Sequence, residues 1–89
     1  MKQFDVIIKD PMGIHARPAT MIYSVCNAYK SQVKLQHKGR EVFGQDVLAV
    51  MGLHVVKGDL LHITVDGSDE SETIEKLMEL FEEINGEFE

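Results

Sequence analysis

The apolar residues of this 89-residue chain change period along its length, and the order of those changes limits the folds open to it. Phe4, Val6 and Ile8 recur every second residue, with Asp5 and Ile7 between them, as in a strand with one face toward a core. Lys9 to Gly13, with Pro11, is a loop. Ile22, Val25, Cys26 and Tyr29 then fall at i, i+3, i+4 and i+7, which predicts an amphipathic helix from Pro18 to about Tyr29. Val33 and Leu35 alternate with Lys34 and Gln36. A Lys38-Gly39 turn leads from there into Arg40–Phe43, a β-hairpin pattern. Asp46 is well placed as the N-cap of a short helix through about Leu53. After a Lys57-Gly58-Asp59 turn, Leu61, Ile63 and Val65 form a last strand whose other face carries His62, Thr64 and Asp66. Asp66-Gly67 breaks it, and Ser68 caps a long helix with Asp69 and Glu70 in its dipole-favoured first turn. Ile74, Leu77, Met78 and Phe81 form the buried stripe of that helix. Asn85-Gly86 ends it, ahead of an acidic tail, Glu87-Phe88-Glu89.

The resulting order is β-α-β-β-α-β-α, with no internal repeat, linker or low-complexity stretch. An α+β fold, a four-stranded antiparallel sheet with three helices on one face, buries every stripe named above. At this length one domain over residues 1–89 is expected, with a modest core.

A formal charge of −6 with scattered lysines argues against nucleic acid as a partner, since duplex binding needs a clustered basic face. The same charge suits docking on a basic protein patch. Cys26 has no second cysteine to pair with and lies on the apolar side of the first helix, as a buried, inert thiol would. No basic segment followed by an apolar one opens the chain, and the apolar run Val47–Leu53 is far short of a membrane span. A cytoplasmic protein without membrane insertion is expected. His37, His54 and His62 lack metal-ligand spacing and read as surface or edge histidines; no metal and no cofactor are expected.

The chemistry is concentrated in Gly13-Ile14-His15-Ala16-Arg17-Pro18-Ala19-Thr20. Proline is well tolerated in a first helical turn, where its missing N–H would be unpaired anyway. Arg17, directly before it, is expected to be pushed away from helical geometry. His15 is thereby set at the helix mouth, where unpaired N–H groups and the positive end of the peptide dipoles favour an anion. Free imidazole titrates near pH 6.5, so a neutral, nucleophilic ring is available at physiological pH. A guanidinium is the side chain best shaped to grip a phosphate. These residues suit a histidine that accepts and hands on a phosphoryl group, with the Ala16 and Arg17 amides and the Arg17 side chain donating to its oxygens. An isolated His-x-Arg would read as an ordinary loop; the whole string in this element order carries more.

That string resembles the active-site signature of the HPr family, the histidine-containing phosphocarriers of the bacterial phosphoenolpyruvate-dependent sugar phosphotransferase system. The Lys57-Gly58 turn and Asp66-Gly67-Ser68-Asp69-Glu70 extend the resemblance over the whole chain. It implies the same open-faced β-sandwich, and a carrier rather than an enzyme. It further implies a His15 phosphorylated on Nδ1, where the residues alone leave both ring nitrogens open. Phosphorylated enzyme I, ultimately charged from phosphoenolpyruvate, is the implied donor, and sugar-specific enzyme II A components are the acceptors. Val47, Leu48 and Met51, with Thr20 beside them, are the implied docking patch, while Val50 and Leu53 read as core. A monomer is the simplest expectation. Position 46 departs from the family pattern. In the Gram-positive members a serine there is phosphorylated and recruits a transcriptional regulator, which Asp46 cannot reproduce. The N-cap accounts for Asp46. The sharper alternative is a regulatory binding module in which Asp46 is a fixed phosphoserine-like charge. His54 also departs, standing where a small residue is common.

Overall fold

The computed structural model describes residues 1–88. Four strands form one antiparallel sheet: β1 (Lys2–Ile7), β2 (Gln32–His37), β3 (Arg40–Phe43) and β4 (Leu60–Asp66). Three helices complete the chain: α1 (Ala16–Ala28), α2 (Val47–Met51) and α3 (Glu70–Gly86), in the order β-α-β-β-α-β-α. The strand order is β1-β4-β2-β3. The last strand is therefore central, paired with β1 through Phe4↔Ile63 and with β2 through Leu35↔Ile63.

Alternation decides which face is dry. Val33 and Leu35 of β2 and Leu61, Ile63 and Val65 of β4 are fully buried beneath the helices. Ile22 and Cys26 of α1 and Leu77, Phe81 and Ile84 of α3 cover them. Phe81 meets Phe4 edge-on, with ring centroids 6.2 Å apart. Cys26 lies in this core, where burial pushes its thiol up to about 12. Val50 and Leu53 are buried as well.

Several boundaries differ from expectation, each for a local reason. Helix α1 starts at Ala16, not Pro18, so Arg17 is helical despite preceding a proline. Pro18 is the third helical residue, and its ring has no earlier helical turn to strike, which removes the usual penalty. Tyr29 is already extended and closes the helix. Helix α2 ends at Met51, with Gly52 as its cap. Asp69, not Ser68, flanks α3, because its carboxylate is drawn to the start of β2. It accepts from the amides of Lys30 at 2.8 Å and Ser31 at 2.9 Å, and from the Ser31 hydroxyl. Met78 is 48% exposed, because the stripe of α3 runs instead through Thr73, Leu77, Leu80, Phe81 and Ile84.

His37 is the clearest correction. It continues the buried face of β2 rather than lying at an edge. Its Nδ1 lies 3.0 Å from the Leu53 carbonyl oxygen and its Nε2 lies 2.8 Å from Asp59 Oδ2. The ring thus fastens the end of β2 to the two ends of the connection between α2 and β4. His54 is exposed with φ of +53°. His62 is half-buried on the open sheet face, paired with Asp5 opposite it in the β1–β4 register.

Candidate functional site

The loop between β1 and α1 is held from three sides. The buried amide of Asn85, near the end of α3, donates to the Ile7 carbonyl at 2.8 Å and accepts from the Lys9 amide at 3.1 Å. Ile8 is paired through its backbone with Gly58 and Asp59. Farther on, the Ile14 amide donates to the Val55 carbonyl at 3.2 Å. Between these anchors Asp10 folds the loop on itself. Its carbonyl accepts from Gly13 N–H and its Oδ1 accepts from Met12 N–H, both at 2.8 Å.

This fold-back delivers His15 to the N-cap of α1 in an extended conformation, with φ of −92° and ψ of −166°. A polar N-cap side chain would ordinarily accept from the second or third helical amide. His15 does not, and Pro18 has no third amide to offer. Among the described residues, the backbone N–H groups of Ala16 and Arg17 make no hydrogen bond. The helix mouth is therefore open to an anion. Thr20, exposed one turn on, donates its hydroxyl to the Ala16 carbonyl at 2.8 Å.

The His15 ring is oriented by Asp10: Nε2 stands 3.1 Å from Oδ2 of that carboxylate. Its side chain is 28% exposed, whereas that of Asp10 is 3% exposed. Burial pushes the Asp10 carboxyl up. The Met12 amide, the His15 bond and the charges of His15 and Arg17 together outweigh burial and hold it below its ordinary value. Among the described residues, Nδ1 of His15 makes no hydrogen bond. Arg17, half-exposed, projects from the same turn. Its Nη2 pairs with Glu87 Oε2 at 2.8 Å, and its Nη1 lies 4.0 Å from Met21 Sδ.

Asp46 caps α2, its Oδ1 accepting from Ala49 N–H at 3.0 Å. Helix α2 packs against α1. Leu48 is 81% exposed at its outer surface, while Val47 and Met51 are half-buried against the core. So the structure brings His15, Ala16 and Arg17 together and lays Leu48 outward. It adds three residues outside the sequence motif: Asp10, Asn85 and Glu87. Glu87 of the acidic tail reaches this site through Arg17, and Glu89 lies outside the described residues.

The family model described as "PTS HPr component phosphorylation site" matches residues 2–83. The phosphocarrier protein HPr of Mycoplasma pneumoniae is 36% identical over 83 residues, covering 92% of this chain and 94% of that protein. Among solved structures, HPr from Thermoanaerobacter tengcongensis superposes with a TM-score of 0.89 at 30% identity, over 97% of each chain. The Bacillus subtilis catabolite repression protein Crh, described as a domain-swapped dimer, gives 0.74 at 31% identity, over 94% of this chain and 97% of that one. A match that runs nearly end to end, on the fold built above, places this chain in the HPr family of phosphotransferase-system phosphocarriers, which are carriers and not catalytic enzymes.

Proposed function

We propose that His15 receives a phosphoryl group from phosphorylated enzyme I, charged in turn from phosphoenolpyruvate, and passes it to sugar-specific enzyme II A components. One observation carries this reading: an accessible imidazole at an uncapped helix mouth, with one nitrogen braced by Asp10 and Nδ1 without a partner among the described residues. Attack by Nδ1 on phosphorus needs no metal and no separate base, because a neutral imidazole already holds the required lone pair. The transferred group brings about two negative charges to the positive end of α1. The Ala16 and Arg17 amides and the Arg17 guanidinium are its donors, each charge-assisted bond contributing about 1.5–3 kcal/mol. A single arginine on an exposed site holds the group without trapping it.

In this reading Thr20, Val47, Leu48 and Met51 dock successive partners in the cytoplasm, and the protein acts as a monomer. Incubation with enzyme I, Mg²⁺ and phosphoenolpyruvate should give an acid-labile, base-stable phosphate on wild type and none on His15→Ala. Equal labelling of the two would sink the assignment.

The exposed carboxylate of Asp46 and the likeness to Crh favour a second reading, a regulatory binding module with a transcriptional regulator as partner. Asp46→Ser discriminates. Faster phosphorylation by enzyme I than wild type would support a fixed phosphoserine-like charge, and equal rates would leave the cap as its role.

A further inference from the structure

Asp10 is more than the loop requires. Bracing the turn uses its backbone carbonyl and Oδ1; Oδ2 is spent on the His15 ring. A carboxylate buried this deeply is costly unless both oxygens are hydrogen-bonded, and here each has one donor. An ionised carboxylate only accepts, so the ring nitrogen facing it must carry hydrogen. The neutral ring is thereby held as the Nε2–H tautomer, and the lone pair falls on Nδ1, the nitrogen without a hydrogen-bond partner among the described residues.

We propose that Asp10 is the positioning residue of the carrier site, selecting Nδ1 as the reacting atom and retaining the Nε2 proton throughout transfer. This rests on the phosphocarrier reading above and adds to it a reason for reversibility. As Nδ1 attacks, the N–P bond forms, the donor's bond to phosphorus breaks, and that electron pair returns to the donor. The phosphorylated ring becomes cationic, its proton still on Nε2 against the Asp10 carboxylate. When an acceptor attacks phosphorus in turn, the N–P pair returns to Nδ1 and the ring leaves as neutral imidazole. No proton need arrive or depart. Without Asp10 the phosphorylated ring sheds the Nε2 proton more readily, and the leaving group becomes the much poorer imidazolate.

The test is the tautomer itself. Long-range ¹H–¹⁵N correlation spectra of labelled wild type at pH 8.5 should show the neutral His15 ring protonated on Nε2. Asp10→Asn offers one oxygen, which the Met12 amide claims. Its NH₂ group then faces Nε2 and drives the proton to Nδ1. Phosphorylation by enzyme I should fall about tenfold or more, as for other groups that orient a reacting histidine. A wild-type ring that is Nδ1–H or a mixture, or an Asn variant with the Nδ1–H tautomer labelled at the wild-type rate, would overturn the proposal. If Asp10→Asn does not fold, the wild-type tautomer decides alone. Absence of any label on wild-type His15 would instead defeat the phosphocarrier reading.

Discussion

At Gly13 the backbone turns with φ of +66°, and a β-carbon there would lie 1.9 Å from the Val55 carbonyl oxygen. Gly13→Ala therefore meets both a left-handed conformation and a collision with main chain that cannot move aside. It should lose about 2–5 kcal/mol of stability, read from the urea midpoint. A loss below about 0.5 kcal/mol would show that the loop re-forms freely. His15, Arg17 and Gly13 were legible as a motif because they are adjacent in the chain. Asp10 was not: its meaning depends on a loop that folds back on itself, and a lone carboxylate beside a proline has no periodicity. His37 could have been found. It stands two residues beyond Leu35 and four beyond Val33, on the face already marked as buried.

Elements were legible where one face is dry, since two periods separate strand from helix without ambiguity. Their ends were not, because caps and tertiary hydrogen bonds place them. Pro18 fell inside the first turn, and Asp69 was drawn across to β2. Helix α2 presents the sharpest functional contrast. Leu48 is 81% exposed, so Leu48→Asp should leave stability within about 0.5 kcal/mol of wild type. If that helix docks on enzyme I, the same change should weaken the complex by about 2 kcal/mol, roughly thirtyfold, in titration calorimetry. Unchanged affinity would remove α2 from the interface.

For the molecule as a whole, the carboxyl groups of Asp10, Asp59, Asp69 and Glu70 are all held below their ordinary values by hydrogen-bond donors, joined by nearby charge at every one but Asp69. A depressed folded-state value means stability that is fully present above the unfolded value and lost as pH falls through the folded one. Thermal melts should therefore show the steepest fall in Tm below about pH 4, near the ordinary carboxyl range. Asp69→Asn should flatten that fall. A Tm unchanged between pH 5 and pH 3 would contradict it. The net charge of −6 should make association with a basic partner slower at high salt.

The pairing of Arg17 with Glu87 has one more consequence. The guanidinium already has an anionic companion, so if Arg17 grips the phosphate as proposed, loading the carrier would exchange one anion for another. Unloading would then let Glu87 resume its seat, with no bare cation stranded at either stage. Such a swap would even out the two states and leave the cargo free to move on.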